Sequence, residues 1–235
     1  MSVHVNINPL HWEQDFFGLN SARLDLDGEM PLAEALAAPY ALLQVKVPAD
    51  RSATLDVLSQ HGFQLVEGEA DFCLTIAATE RQSGIRIARE SQIPLLRSAA
   101  AEVFSQSRFR APWFSADASS RFYAQWVENA VRGTFDHQCL LASDEQGNLL
   151  GFVSLREQSG EGRIGLLAVM PDARGNGLGE RLLLAAADWC RVRRLSHLRV
   201  ATQLSNLAAM RLYSRSGARL ESTAYWLYRK NHDSI

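Results

Sequence analysis

Long apolar segments are missing from the 235 residues of this chain. The longest strongly apolar run, residues 182–187, is far shorter than the ~20 residues that span a bilayer, so no membrane-spanning helix is predicted. The first residues, Met1 to Asn6, contain neither a basic start nor an apolar core, and we therefore expect no secretory signal. Cysteine is also scarce. Its three copies, odd in number and far apart in sequence, predict a reduced cytoplasmic protein without disulfides: Cys73, Cys139 and Cys190.

An excess of charge of either sign is absent as well. The 24 lysines and arginines nearly balance the 26 aspartates and glutamates, which gives a net charge of −2. The chain therefore lacks the broad positive field of a protein that binds duplex nucleic acid. Its six histidines have no metal-ligand spacing, and no metal site is predicted. Apolar residues make up 47% and charged residues 21%, which is typical of a folded globular protein.

Strand and helix patterns alternate along the chain, and this alternation predicts an α/β protein with a mixed central sheet. The predicted strands are residues 22–26, 42–47, 64–74, 85–88, 138–142, 149–156, 163–169, 198–202 and 219–228. The predicted helices are residues 31–38, 52–60, 91–104 and 119–131, one that is opened by residues 174–179 and includes Leu178, and one between Asn206 and Gly217. The polar residues 79–84 are the best candidate for a linker between two parts.

The two parts repeat one pattern. A shift of 155 positions places Leu58 on Tyr213 and the helix-ending Gly62 on Gly217, within strand–helix–strand units on both sides. Generic αβ units follow the same capping rules, so chance is one explanation. We favour a duplicated module, and because the first copy has Leu58 where the second has a tyrosine, we expect the first copy to be structural.

A glycine-rich segment carries the strongest local signal. It lies between a predicted strand and a predicted helix and reads Arg174-Gly175-Asn176-Gly177-Leu178-Gly179. Glycines at a helix start let backbone N–H groups approach a ligand closely, and the helix dipole adds to this preference for a phosphate or pyrophosphate. A P-loop would need Gly-Lys-Ser/Thr at its end, and a dinucleotide fingerprint would need a glycine at Glu180. A plain connecting turn is the remaining alternative.

This segment resembles the pyrophosphate loop of the GNAT superfamily of acetyl-CoA-dependent N-acetyltransferases. The superfamily's strand ending L-x-V-x-P and its loop R-G-x-G-[IL]-G are matched by residues 167–171 and 174–179. Its second signature is an Asn-capped helix with a tyrosine seven residues later and a glycine four beyond, matched by Asn206, Tyr213 and Gly217. The resemblance implies a GNAT fold, a mixed sheet with helices on both faces, for residues 85–235. Residues 1–80 would form a smaller, degenerate αβ module that resembles part of a GNAT domain.

The resemblance implies that acetyl-CoA is the co-substrate, with its pyrophosphate on the glycine-rich segment. A bulge in the preceding strand would expose three residues to the pantetheine arm: Leu167, Ala168 and Val169. Asn206 would contact this arm, or act as a helix cap alone. Tyr213 would be the general acid that protonates the departing thiolate, with a core tyrosine as the alternative. No covalent enzyme intermediate and no metal are expected.

Further segments resemble a GNAT family that N-acetylates the 4-amino group of dTDP-4-amino-4,6-dideoxy-D-galactose in enterobacterial common antigen synthesis. They are residues 12–18, 66–69, 107–113, 121–126, 128–139 and 221–228. This resemblance implies a nucleotide sugar as the small-molecule partner. Its pyrophosphate would meet an arginine and its thymine an aromatic ring, and the candidates are Arg108, Arg110, Arg121 and Trp113.

Glu67 is the candidate base; it shares a strand face with Glu69, and a solvated strand edge is the alternative for both.

Other functions stay open at this stage. The same motifs fit a GNAT enzyme for another amine, such as a polyamine, an antibiotic or a protein N-terminus. They also fit a sensor that binds acetyl-CoA without transferring the acetyl group. The last predicted strand, with Tyr225, Trp226 and Tyr228, fits either an edge that pairs in a homodimer or the core of the sheet.

Overall fold

Eleven strands form one mixed sheet within residues 3–77, 81–104 and 107–231, the part of the chain that the computed structural model describes. In chain order the strands are β1 (His4–Pro9), β2 (Ser21–Leu26), β3 (Met30–Pro31), β4 (Leu42–Pro48), β5 (Gln64–Thr75), β6 (Ile85–Ile87), β7 (Gln138–Ser143), β8 (Leu149–Gln158), β9 (Glu161–Val169), β10 (His197–Gln203) and β11 (Arg219–Lys230). The α-helices in the same ranges are α1 (His11–Phe17), α2 (Leu32–Ala35), α3 (Ser52–Gln60), α4 (Ile93–Val103), α5 (Ala118–Arg132), α6 (Leu178–Val192) and α7 (Leu207–Arg215). None of these helices is both long and apolar enough to cross a membrane.

The order of the strands across the sheet is β3-β1-β2-β4-β11-β5-β10-β9-β8-β7-β6. The pairs β2 with β4 and β9 with β10 run parallel, and the other pairs run antiparallel. Buried side chains alternate along the strands, so helices cover both faces: on β8, Phe152 packs with α4 and α5, whereas Val153 packs with α6. We call the side under α1, α4 and α5 the α5 face, and the side under α2, α3, α6 and α7 the α6 face.

The internal repeat has a structural counterpart. Shifting residue numbers by 155 carries β4, α3 and β5 onto β10, α7 and β11, with the same bounds at both ends of every element. Strand pairing obeys the same relation: Tyr225 lies opposite Val47 between β11 and β4, and Ala70 lies opposite Thr202 between β5 and β10. The two strand–helix–strand units are therefore related by a pseudo-twofold axis that lies between β5 and β11.

The two units exchange their last strands. β11 of the second unit lies between β4 and β5 of the first, and β5 lies between β11 and β10. The last strand of the chain is therefore inside the sheet and is no edge, which decides between the two alternatives left open by the sequence. The division into residues 1–80 and residues 85–235 stays a prediction, and residues 79–80 of the predicted linker lie outside the described residues.

The first unit differs from the second where the glycine-rich segment would stand. Residues 27–41, all of which the structure describes, connect the parallel strands β2 and β4 with only β3 and the four-residue α2. The parallel strands β9 and β10 are instead connected through the glycine-rich segment and the 15-residue α6. A long helix that begins at a glycine-rich loop is therefore found in the second unit alone among the described residues.

The ends of several elements differ from the predicted ones. No element is predicted before residue 22, whereas β1 and α1 lie there; α1 has only seven residues and no side-chain cap, so its local signal is weak. The helix predicted at residues 31–38 covers only Leu32–Ala35, and Pro39 disfavours the helical conformation at Ala38, the last residue of the prediction. The helix predicted from Ser91 begins at Ile93, after a 3₁₀ turn over Glu90–Gln92.

Candidate active site

Two neighbouring parallel strands separate near the middle of the sheet. Along β9 and β10, all of whose residues the structure describes, pairing runs from Gly162 opposite Leu198 to Ile164 opposite Val200. Both strands continue beyond this point, β9 to Val169 and β10 to Gln203. The backbone groups that face each other across the gap therefore lack the ladder partners that a continuous sheet would supply, and they are available to a ligand.

A β-bulge in β9 lies where the strands separate. Val153 of β8 lies opposite Leu167, whereas Leu155, two residues further on, lies opposite Ile164. β9 thus contains one residue more than β8 between these pairs, and the additional residue bends the strand at residues 165–166. The bulge that the family resemblance implies before the glycine-rich loop is confirmed.

The glycine-rich segment forms an open loop at the N-terminus of α6. Gly175 and Gly177 have φ values of +80° and +74°, and a Cβ atom at either position would meet nothing within 4 Å. These glycines are therefore required by the left-handed backbone and not by a lack of space. No side chain of the described residues caps α6, so N–H groups of its first turn remain available to an anion. The exposed Arg174 lies next to them.

Helix α7 carries the second predicted signature. Asn206 caps the helix, because its Oδ1 accepts a hydrogen bond from the N–H of Ala209 at 3.2 Å. Tyr213 follows two turns later; it is 4% exposed, and its ring centroid lies 5.6 Å from that of Phe72. Burial raises the pKa of Tyr213, so the phenol stays protonated at neutral pH and can act as a proton donor.

A cavity of about 1770 Å³ lies at the separation of β9 and β10 and takes lining residues from both faces of the sheet. It brings together ten of the residues that the sequence assigns to acetyl-CoA: Leu167, Ala168, Val169, Arg174, Gly175, Gly177, Leu178, Gly179, Asn206 and Tyr213. Asn176 is exposed at the tip of the loop and is not among the lining residues.

Two carboxylates on β5 line the α5-face side of the cavity. Burial raises the pKa of Glu67 from 4.5 to about 7, although the positive charge of Arg108 opposes this shift. Burial acts on Glu69 as well, but hydrogen bonds from Lys46 and Trp226 outweigh it and lower the pKa of that carboxyl. Because β5 lies inside the sheet, the solvated strand edge considered for both residues is excluded.

The first unit, which the sequence predicts to be structural, also lines this cavity. Its strand β4 supplies Lys46 to the cavity, and its strand β5 supplies Glu67 and Glu69. Strand exchange explains this contribution, because it places β5 next to β10 at the edge of the opening.

Arg108 is the predicted substrate residue that reaches the cavity. Its guanidinium donates hydrogen bonds to Gln44 Oε1 at 2.8 Å and to the hydroxyl of Tyr228. It also lies 4.1 Å from the ring centroid of Trp226. These contacts fix the side chain across the α5 face, where its charge acts on Glu67.

The other three predicted substrate residues are not brought to the cavity. Arg110 is exposed and donates to the carbonyl of Val66 at 3.2 Å. Trp113 is 8% exposed and packs in the core, so its ring is unavailable for stacking on a base. Arg121 is exposed on α5 and donates to the carbonyl of Phe16 at 3.0 Å. The resemblance that predicts these residues did not indicate where the folded chain would direct each side chain.

Sequence reasoning missed the basic strand residues that line the cavity, namely Lys46, Arg156 and Arg163. Each lies on a predicted strand with its side chain on the α5 face. The sequence feature that could have indicated them is a cationic side chain at a half-buried strand position, because burial of a charge requires a partner or a ligand. The exposed ring of Phe135, also at the cavity, was missed too.

The cysteines offer no nucleophile at this site. Cys139 is 1% exposed, and burial raises its pKa to about 12, which keeps the thiol protonated. His137, two residues before Cys139, accepts a hydrogen bond at Nδ1 from the N–H of Glu157 at 2.8 Å. Within the described residues, no group of three or more His, Cys, Asp or Glu side chains could hold a metal ion.

A bulged parallel strand pair that opens onto an uncapped helix N-terminus, with a buried tyrosine beside it, is the architecture of an acyltransferase that binds a coenzyme pyrophosphate. The profile of the acetyltransferase (GNAT) family matches residues 100–218. The chain belongs to the GNAT family of acetyltransferases, whose members use acetyl-CoA.

Relatives and solved structures agree with this assignment. The chain is 51% identical to the dTDP-fucosamine acetyltransferase of Escherichia coli O6:H1, over 97% of this chain and 100% of that protein. A GCN5-related N-acetyltransferase from Sphaerobacter thermophilus superposes with a TM-score of 0.59 at 21% identity, over 80% of this chain and 59% of that one. A tandem GNAT protein from the clavulanic acid biosynthesis pathway superposes with a TM-score of 0.60 at 15% identity, over 91% and 76% of the two chains.

Replacing Gly177 by alanine should weaken the binding of acetyl-CoA. An L-residue in the left-handed region costs about 1–2 kcal/mol, and relief of this strain would turn the loop N–H groups away from the ligand. We expect the Kd to rise roughly tenfold, since 1.4 kcal/mol corresponds to a factor of ten. Isothermal titration calorimetry measures the Kd for acetyl-CoA.

Gly160→Ala is the matched control for this variant. Gly160 has a φ of +76° and equal free space, but it lies in the turn between β8 and β9 and does not line the cavity. An unchanged Kd for Gly177→Ala, or an equal rise for both variants, would contradict the assignment of the loop.

Proposed function

We propose that the chain transfers the acetyl group of acetyl-CoA to the 4-amino group of dTDP-4-amino-4,6-dideoxy-D-galactose. The observation that carries this proposal is the cavity across the opened sheet, which has anion donors and a proton donor on one side and a base with basic residues on the other. The relative named dTDP-fucosamine acetyltransferase, similar over 97% of this chain, supports the acceptor. Enterobacterial common antigen synthesis is the corresponding pathway under this proposal.

The loop residues 174–179 hold the coenzyme pyrophosphate. The N–H groups of the loop and of the first turn of α6 point toward an anion, and the helix dipole adds about 0.3–2 kcal/mol. Arg174 supplies the one full positive charge within the loop and can bind a phosphate through two N–H groups. The donor set therefore fits a diphosphate.

The strand backbone after the bulge holds the pantetheine arm and polarises the acetyl carbonyl. Leu167, Ala168 and Val169 line the cavity where β9 has left β10, so the arm replaces the missing strand partner. One backbone N–H aimed at the developing oxyanion contributes roughly 2.7–4 kcal/mol to the transition state. Asn206 Oδ1 is used by the helix cap, which leaves its amide N–H groups for the arm.

Tyr213 protonates the leaving thiolate. Tyr213 belongs to the cavity lining, while burial keeps the phenol protonated at neutral pH. A protonated phenol in this position can serve as a general acid, and a general acid contributes typically 10²–10⁴-fold in rate.

Glu67 accepts the proton that the attacking amine releases. Its raised pKa, about 7, matches the requirement that a base be partly deprotonated and still basic at neutral pH. Transfer from amine to carboxylate directly, or through one water, leaves a neutral amine that attacks the thioester. The buried, protonated thiol of Cys139 supports direct attack without a covalent enzyme intermediate.

The nucleotide diphosphate of the acceptor binds on the α5 face. Lys46, Arg156 and Arg163 line this side, and Arg108 adds its charge. Phe135, which is 53% exposed at the cavity, offers a ring on which thymine stacks.

A panel of amines tests the acceptor. With acetyl-CoA at saturation and release of free thiol as the signal, dTDP-4-amino-4,6-dideoxy-D-galactose should give the highest kcat/KM. The same sugar without the nucleotide should react poorly, because it lacks the diphosphate and thymine contacts. Preference for a polyamine or a peptide N-terminus would overturn the acceptor assignment, and binding of acetyl-CoA without any turnover would indicate a sensor.

Tyr213→Phe should lower kcat by roughly 10²–10³-fold at pH 7.5. The Kd for acetyl-CoA should change less than threefold, because the ring and its packing on Phe72 are retained. An assay of thiol release measures kcat, and isothermal titration calorimetry measures the Kd. Tyr225→Phe, a tyrosine on β11 outside the cavity lining, is the control and should keep its kcat. An unaltered kcat in Tyr213→Phe would remove the general-acid role.

Glu67→Gln should abolish the part of the pH–rate profile that rises through about pH 7 and lower kcat/KM roughly 10²–10⁴-fold. Because the pKa is raised in the folded state, the wild type loses stability as pH rises from about 4.5 to about 7, whereas the glutamine variant does not. At pH 8 the variant should therefore unfold at the same or a higher temperature. The Glu69→Gln variant should keep the part of the pH–rate profile that rises through about pH 7. Loss of this part in the Glu69→Gln variant would make Glu69 the base.

A further inference from the structure

A buried carboxylate in the loop between α5 and β7 connects three residues around the active site. Asp136 is fully buried. Its Oδ1 accepts from the guanidinium of Arg156 at 2.7 Å, and its Oδ2 accepts from the indole of Trp126 at 2.8 Å and the hydroxyl of Ser154 at 2.5 Å. A buried carboxylate that accepts three such bonds is held in one orientation, since the loss of any donor would leave charge uncompensated.

Ser154 connects this carboxylate to the bulge in β9. The residue is fully buried on β8, opposite residues 165–166. Its hydroxyl oxygen accepts from the N–H of Leu166 at 2.9 Å while its proton points to Asp136. A bulge leaves one residue outside the normal ladder, and a buried N–H without a partner costs about 1–3 kcal/mol. Ser154 thus satisfies the group that the bulge removes from the sheet.

Gly165 completes the same arrangement. A Cβ atom on this residue would lie 2.2 Å from Asp136 Oδ2 and 2.8 Å from Ser154 Oγ. The carboxylate therefore sits directly over the bulge, and only glycine leaves it room. The close approach of Asp136 constrains Gly165, and the hydrogen bond to Ser154 constrains Leu166. Two separate contacts therefore hold the bulge of β9.

We propose that Asp136 and Ser154 are positioning residues for acetyl transfer, acting through the bulge. They fix residues 165–166 and thereby the direction of the backbone at Leu167 and Ala168, which faces the acetyl arm. The same carboxylate holds Arg156 on the acceptor side of the cavity. This inference rests on the proposed role of the strand backbone, but it does not depend on which amine is the acceptor.

Ser154→Ala is the first test. Removal of the hydroxyl leaves Leu166 without its partner and lets the bulge move, and a displacement of about 1 Å at a reacting centre costs up to roughly 10²-fold in rate. We expect kcat to fall roughly 10- to 100-fold, with the acceptor KM changed less than twofold. Ser21→Ala is the matched control, a buried strand serine of the first unit outside the cavity lining, and should keep kcat within twofold.

Asp136→Asn should give a different pattern. The amide has a single acceptor oxygen for three donors, so both Ser154 and Arg156 are affected. We expect a similar fall in kcat together with a higher acceptor KM. If both residues act through one chain of hydrogen bonds, the double variant should have the kcat of the slower single variant, not the product of the two effects.

Kinetics are measured with whichever amine the wild-type chain acetylates, so a wrong acceptor assignment does not affect the comparison. A kcat within twofold of wild type for Ser154→Ala would overturn the inference, as would multiplicative effects in the double variant. If Ser154→Ala shows no cooperative thermal unfolding, Ser154→Cys replaces it. Its weak donor and acceptor should give an intermediate kcat, and a wild-type kcat there would equally overturn the inference.

Discussion

The site depends on one interruption of backbone pairing, the point beyond Ile164 and Val200 where β9 leaves β10. A sheet that continued would satisfy its own N–H and C=O groups and would separate its two faces. The opening instead joins them. It places the phosphate-binding loop and Tyr213 within the same cavity as Glu67, which lies on the other face of the sheet. The residues that the proposed function assigns to the coenzyme and those that it assigns to the acceptor therefore lie on opposite faces of one sheet.

The pseudo-twofold relation explains how the acceptor side was built. The first unit repeats the strands and the short helix of the second, residue for residue, but has no counterpart of the long α6. Its exchanged strand β5 lies where it can contribute side chains to the opening in the second unit. In the proposed function the second unit holds the coenzyme and the first supplies carboxylates and a lysine, so the repeat is symmetric in its backbone and asymmetric in its chemistry.

Much of the fold was accessible from sequence, because local rules fix it: glycine C-caps, the Asn206 cap and alternating strands gave most elements within a few residues. The coenzyme side was accessible as well, since its residues are adjacent in the chain and their spacing carries the signal. The acceptor side was not. Arg156 and Lys46 reach the same cavity only through the order of the strands. Trp113 lies in the core, where its ring packs against that of Tyr228. α1 was missed because seven residues without a cap have little helical signal of their own.

Strand exchange also determines when the central strands can pair during translation. β5 emerges from the ribosome early, yet both of its neighbours, β10 and β11, are made more than a hundred residues later. During most of translation its apolar residues and both of its edges have no native partner. Contacts between such distant segments slow folding, and unpaired strand edges favour aggregation. Because β11 lies in the centre of the sheet, the core around β5 cannot close before β11 has left the ribosome.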